Sequence, residues 1–149
     1  MSDVDVQTTI SLFSMSCFGR VYVDAPTEKV WHLLTHVEQQ RQWNTTLSSI
    51  DGDIREGGRV RLTTWASGER VFSPRVSEFV PNQSMVWSDG QAPFFKGVRT
   101  FAVEPSAMGT TVHMIETLSG ILLPMIKRSL PDFAPIFATY LSDLKNAAE

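Results

Sequence analysis

One cysteine, Cys17, stands in a chain of 149 residues. A lone thiol closes no internal disulfide, so the fold must rest on its core and not on covalent staples. A surplus of basic charge is missing too. Thirteen Lys and Arg against sixteen Asp and Glu leave a formal net charge of −3. The densest basic cluster is the pair Lys127-Arg128, and Arg55, Arg59 and Arg61 are interrupted by Glu56. Nucleic-acid affinity grows from a concentrated basic surface that releases counterions, so nucleic acid is not an expected partner. Long hydrophobic runs are also lacking. The most apolar stretch, residues 121–126, is broken by Pro124 and falls far short of the roughly 20 residues that span a bilayer. Met1-Ser2-Asp3-Val4-Asp5 has neither the basic start nor the apolar run of a signal peptide, so a cytoplasmic location is expected. No repeat, low-complexity tract or linker divides the sequence, which predicts a single domain over residues 1–149, with residues 1–10 a polar, frayed tail.

What is present suits a globular core. Hydrophobic residues make up 42% and charged residues 19%, too apolar a balance for disorder. A chain of this length buries roughly 68–70% of its unfolded surface. Nine Phe, four Trp and two Tyr can fill a core or line a pocket.

The order of elements follows from period and punctuation. Within residues 12–24, Phe18, Val21, Tyr22 and Val23 predict a first strand. Ala25-Pro26-Thr27-Glu28 then opens a helix, with Pro26 at the first helical position and Glu28 near the positive end of the dipole. Val30, Leu33, Leu34 and Val37 recur at helical spacing, and a second short helix covers residues 37–42, ending at Trp43-Asn44. From residue 46 to 118 the period shortens. β-branched and aromatic runs alternate with turn residues such as Asp51-Gly52-Asp53, Gly57-Gly58, Pro81-Asn82 and Asp89-Gly90. Connections so short exclude parallel pairing, so about six antiparallel strands are expected, seven with the first. The last segment returns to helical spacing, with Phe133, Phe137, Tyr140, Leu141 and Leu144 on one stripe. Pro131 and Pro135 leave two readings. A helix from about residue 121 is kinked there, which is preferred, or the helix proper begins near Pro131. The fold class is α+β, a curved antiparallel sheet burying one face against a long C-terminal helix.

Particular residues then carry a resemblance. Val23-Asp24-Ala25-Pro26-Thr27-Glu28-Lys29-Val30-Trp31 resembles the "A-P-x-x-x-V-W" opening of the SRPBCC, or START-like, superfamily, and Trp43-Asn44 resembles its "W-N" after the second helix. Val76-Ser77-Glu78-Phe79-Val80-Pro81 with Met85-Val86-Trp87, and Phe101-Ala102-Val103 with Gly109-Thr110-Thr111-Val112, resemble two of its hairpins. Leu141-Ser142-Asp143-Leu144-Lys145 resembles the end of its last helix. The resemblance covers residues 18–149. It implies a helix-grip fold, seven strands around the C-terminal helix with two short helices after the first strand. It also implies a cavity for a lipid, polyketide or other small apolar molecule. It does not imply one reaction, because the superfamily includes carriers, polyketide cyclase/dehydrase-like enzymes, birch-pollen-allergen-like proteins and chaperone ATPase activators.

Strand alternation places candidate chemistry. If Val103 lies opposite Val112, then Phe101 faces Met114 and Arg99 faces Glu116, and both charges point toward the apolar face. Such a pair either satisfies itself, holds a polar ligand group or does both; the alternative is a solvated pair at the rim. Trp43, Trp65, Phe79, Trp87, Phe101, Phe133, Phe137 and Tyr140 are the aromatic candidates to line a ligand space with Arg99, Met114 and Glu116, or they simply fill the core. Tyr140 and Trp87 add polar handles. His113 falls on the opposite face. His32 and His36, spaced i, i+4, lack a third ligand and the Glu of H-E-x-x-H, so no metal site is expected. No nucleophile arrangement surrounds Cys17, and no cofactor motif occurs.

Ligand binding is therefore the expected function. An enzyme of cyclase or dehydratase type, with Glu116 as general acid or base, is the alternative. A chaperone-activator-like interaction protein is the third reading. A homodimer is possible.

Overall fold

The computed structural model describes residues 4–149. Ten-residue β2 (Ser14–Val23) follows edge strand β1 (Asp5–Ile10), and two short helices come next, α1 (Thr27–Thr35) and α2 (Val37–Trp43). Strands β3 (Leu47–Gly52), β4 (Val60–Thr64), β5 (Arg75–Val80), β6 (Ser84–Gln91), β7 (Phe95–Ser106) and β8 (Gly109–Ser119) precede a single-turn helix α3 (Leu123–Ile126) and the long α4 (Phe133–Ala148). All pairings are antiparallel. The large sheet runs β1-β2-β8-β7-β6-β5 and the small one pairs β3 with β4. Bridges Arg59↔Arg75 and Leu62↔Phe72 link β4 and the residue before it to β5 and the segment leading into it, so the small sheet sits against the β5 edge of the large one.

The seven expected strands are present as β2 to β8, parted into two sheets, and β1 adds an eighth among the described residues. Residues 5–10 are thus a strand and not a frayed tail. They pair residue for residue with β2, from Asp5↔Arg20 to Ile10↔Met15, and Arg20 donates to Asp5 at 2.8 Å. Five of the six side chains are exposed, so the strand left no alternating apolar signal to read. Residues 1–3 of the expected tail lie outside the described residues.

The core is built from one face of the sheet and one stripe of α4. Met15, Cys17, Val21 and Val23 alternate inward along β2, as do Val112, Met114 and Leu118 along β8. α4 crosses β2 and β1, with Phe137, Tyr140, Leu141 and Leu144 buried. Burying each of these side chains fully contributes about 1.5–3 kcal/mol. The far end of the helix is clamped by polar contacts. Lys145 Nζ donates to the Tyr22 carbonyl at 3.0 Å, and the Glu149 carboxylate accepts from Lys145 and from the Asp24 backbone N–H.

Two helix expectations need correction. The continuous helix kinked at the prolines does not form. α3 ends at Ile126, a 3-10 turn follows at Lys127–Ser129, and Leu130 is extended (ψ 144°) before Pro131, as a residue preceding proline prefers to be. α4 starts afresh at Phe133 on an Asp132 N-cap whose side chain accepts from the Ala134 N–H at 3.2 Å. Pro26 sits one position earlier than expected, at the cap of α1, where its carbonyl accepts from Lys29 and Val30.

Candidate functional site

Between the curved sheet and α4 the structure keeps a hollow of about 390 Å³. Its floor is the inner face of β6 to β8, where Trp87, Arg99, Phe101, Glu116 and Leu118 point up. Its roof is Phe133, Ile136 and Tyr140 of α4. One wall is Leu47, Ile50 and Leu62 of the small sheet, and Gln40 of α2 with Asn44 at its C-cap close the deep end. A volume in the range of small-molecule pockets, mostly apolar with few converging polar groups, is the usual form of a ligand site.

The register that alternation predicted is the one observed. Val103 pairs with Val112, Phe101 with Met114 and Arg99 with Glu116. Arg99 Nη2 stands 3.5 Å from Glu116 Oε1, and both side chains are largely buried, 22% and 16% exposed. The guanidinium also lies over the Phe137 ring, 5.2 Å from its centroid, a contact that helps hold a desolvated cation. Burial drives the Glu116 carboxyl above its ordinary value, and Arg99 opposes that rise without cancelling it.

At the deep end Tyr140 is packed edge-on against Trp43, with centroids 5.2 Å apart and planes at 86°. Its hydroxyl accepts from Gln40 Nε2 at 3.2 Å. Gln40 also donates to the Leu34 carbonyl and accepts from Asn44 Nδ2; Asn44 Oδ1 in turn accepts from the Thr46 N–H and hydroxyl. Burial pushes the Tyr140 hydroxyl up to about 12, so it stays protonated.

Six of the residues proposed from sequence meet at the cavity: Trp87, Arg99, Phe101, Glu116, Phe133 and Tyr140. Five others do not line it. Trp43 lies behind Tyr140, its indole N–H donating to the Leu33 carbonyl at 2.9 Å. Met114 and Phe137 are fully buried in the packing between sheet and helix. Phe79 sits against Trp31 of α1, with centroids 5.4 Å apart. Trp65 is 73% exposed, because a capping box between Thr64 and Ser67 turns the chain and leaves the indole outside. The Trp87 indole is not free to orient a ligand, since its N–H points at Met85 Sδ, 3.3 Å away.

Sequence reasoning missed Gln40, Asn44, Ile50, Leu62 and Ile136. The i, i+4 spacing of Gln40 and Asn44 was the available signal, masked by the polar sequence of α2. His113 is on the outer face as expected, 3.1 Å from Glu104. His32 and His36 are exposed and touch one another, and no group of three or more metal-binding side chains occurs among the described residues. Cys17 is buried, with its thiol raised by desolvation. No helix among the described residues is long and apolar enough to cross a membrane.

Comparison with solved structures agrees with this architecture. A Rhodobacter sphaeroides protein is 17% identical with a TM-score of 0.70, over 96% of this chain and 97% of its own. A conserved protein of unknown function from Enterococcus faecalis is 15% identical with a TM-score of 0.69, over 97% and 77%. CalU16 of Micromonospora echinospora is 16% identical with a TM-score of 0.58, over 97% and 92%. Identities this low speak to the fold alone. None of the curated proteins matches the sequence. Residues 14–149 match the family described as "Polyketide cyclase / dehydrase and lipid transport", and by that match this chain belongs to it.

Proposed function

We propose that the protein binds a small, mostly apolar molecule in the hollow between the sheet and α4. One observation carries the reading: a close-packed interior rarely leaves voids much larger than a water molecule, yet here about 390 Å³ stays open between two elements that otherwise bury one another. The lining suits an apolar body, with Trp87, Phe101, Leu118, Phe133 and Ile136 around it and Arg99, Glu116 and Tyr140 as polar anchors. Native mass spectrometry of the protein purified from its own host tests this. A mass increment lost on denaturation and recovered by solvent extraction is the expected result. An empty protein that shows no thermal shift with lipids, flavonoids or polyketides would overturn it.

A second reading, a cyclase or dehydratase, is favoured by Glu116. A carboxyl raised by burial and aimed into a cavity beside a cation holds its proton more readily than an exposed one, as a general acid or base requires. Glu116→Gln separates the two readings, because the isostere retains binding and stops proton transfer.

A further inference from the structure

The hydrogen bonds at the deep end have only one possible direction, and that direction names the chemistry of the ligand. The Thr46 backbone N–H can only donate, so the atom it reaches at 3.1 Å, Asn44 Oδ1, is an acceptor and the other amide atom of Asn44 is its NH2. That NH2 donates to Gln40 at 2.8 Å, so the atom it meets is the Gln40 carbonyl oxygen. The Gln40 nitrogen must then supply the hydrogen at the Leu34 carbonyl, 3.0 Å away, since a backbone carbonyl can only accept. Its second hydrogen goes to the Tyr140 oxygen at 3.2 Å. Tyr140 is thus forced to accept from the protein, and among the described residues no acceptor meets its own proton.

From this chain we infer that Tyr140 donates to the ligand, and that the molecule carries a carbonyl-type oxygen at its buried end; the inference rests on the cavity being the binding site. A hydrocarbon would leave the hydroxyl proton unmatched in a desolvated place, which is costly. An alcohol would satisfy it only by bringing a proton of its own into the deep end, where the Gln40 and Asn44 oxygens are already engaged. A carbonyl oxygen accepts and brings no donor. Arg99 extends the preference, because a guanidinium offers donors and no acceptor.

Prodan, an apolar naphthalene ketone whose emission moves to the red when its carbonyl accepts a hydrogen bond, is the probe, with dimethylaminonaphthalene as its carbonyl-free partner. The wild-type chain is expected to bind both, prodan about tenfold tighter, the worth of one well-placed hydrogen bond. Tyr140→Phe erases that preference and shifts bound prodan to the blue. Gln40→Glu retains the tyrosine and turns its hydroxyl toward the new carboxylate, so it produces the same blue shift, which loss of ring packing would not. Melting curves identify any variant that has not folded, and either variant alone decides the matter. Bound prodan with the same emission and preference in both variants removes this inference and leaves the cavity reading intact. Failure of the wild type to bind either probe removes both.

A second observation, away from the cavity lining, carries a separate proposal. The β1–β2 turn, the β6–β7 turn and the segment after β8 are stitched into one surface. Gly120 N–H donates to the Phe13 carbonyl, Ile121 to Pro93, Leu122 to Phe94, and Lys127 Nζ to Ser11. On it Ile10, Leu12, Phe13, Phe94, Ile121 and Met125 are each more than half exposed. Residues 10–13, 91–96 and 120–130 contain Lys96, Lys127 and Arg128 and not one Asp or Glu, although the chain as a whole is acidic. Exposed apolar side chains whose own segments carry cations and no carboxylate, with Asp89 and Asp132 only at the flanks, are the pattern that settles into the interface of an anionic bilayer. We propose that this end docks on such a surface. It adjoins the cavity, since Gly90 and Ser129 at its border also line the hollow.

Flotation with vesicles of phosphatidylcholine alone, or with about 30% phosphatidylglycerol, tests the docking. The expected result is recovery with the anionic vesicles, weakened at least tenfold in about 0.5 M salt. The exposed-residue variant Leu12→Asp/Met125→Asp abolishes it without lowering the melting temperature. Equal recovery with both vesicle types, no recovery at all, or a dimer in light scattering that the same variant dissociates would overturn it, the last assigning the surface to a second copy.

Discussion

A β-carbon placed on Gly19 would lie 2.7 Å from Cδ1 of Leu141 and 3.1 Å from Cδ2 of Phe137. The missing side chain on β2 is therefore what lets α4 come down onto the sheet, and Gly19 is buried beneath the helix in consequence. Gly19→Ala is expected to cost about 1–3 kcal/mol by overpacking, read from urea midpoints. Gly19→Ala/Leu141→Ala should cost less than the two single changes added together, because the second truncation makes the room that the first demands. Strict additivity would mean that the contact does not set the helix height.

The start of α4 gives a second prediction. Asp132 is exposed and its side chain accepts from the Ala134 N–H, so it caps the helix that carries Phe133, Ile136 and Tyr140 over the cavity. Asp132→Ala should lower stability by about 0.5–2 kcal/mol, and Asp132→Asn should restore most of it. If alanine unfolds at the same denaturant concentration as wild type, the helix starts elsewhere and the kinked form from residue 121 regains its standing.

These two residues also show where sequence reading stopped. The stripe Phe137, Tyr140, Leu141 and Leu144 was visible because a helix repeats its buried face every three or four positions, and Arg99 opposite Glu116 followed from strand alternation. Neither rule says how near two elements stand, and that distance decides whether aromatics fill a space or line one. Phe137 is consumed in packing and Phe133, one turn earlier, borders the hollow. Trp65 was misjudged for another reason. Its strand ends one residue before it, in a turn held by Thr64 and Ser67 side chains, so alternation no longer governed where the indole points. The i, i+4 spacing of Gln40 and Asn44 went unread because solvated polar residues on and just after a short polar helix show the same spacing.

The buried pair predicts a pH dependence. Glu116 has a carboxyl raised above its usual 4.5 by desolvation first, with Arg99 lowering it in part. Arg99 on β7 faces it, and Cys17 lies opposite on β2 with a thiol that titrates only at alkaline pH. A group whose folded value exceeds its unfolded one holds its proton longer in the native state. Its contribution is complete below the unfolded value and lost as pH rises through the folded value. Wild type should therefore lose stability relative to Glu116→Gln as pH rises above the ordinary carboxyl value of 4.5, by about 1.4 kcal/mol for each unit of elevation. Paired thermal melts across that range cancel the other carboxylates. A constant difference would place the Glu116 carboxyl in water.

Gly97 offers the most direct control over the hollow itself. It lies on β7 between Asp89 of β6 and Leu118 of β8 and borders the cavity. A β-carbon there meets only the far end of the Leu118 side chain, Cδ2 at 3.2 Å, so a larger residue would grow into open space. Gly97→Leu removes a glycine that weakens a strand interior, a change that on its own gains about 0.5–1 kcal/mol, and its branched end occupies room a ligand would use. The melting temperature should hold or rise while prodan affinity falls at least tenfold, a separation that simple misfolding cannot produce. Trp65→Leu, far out in solvent, should change neither quantity. Undiminished prodan binding by Gly97→Leu would mean that the probe sits somewhere other than between the sheet and α4, and the roles given to Arg99, Glu116 and Tyr140 would go with it.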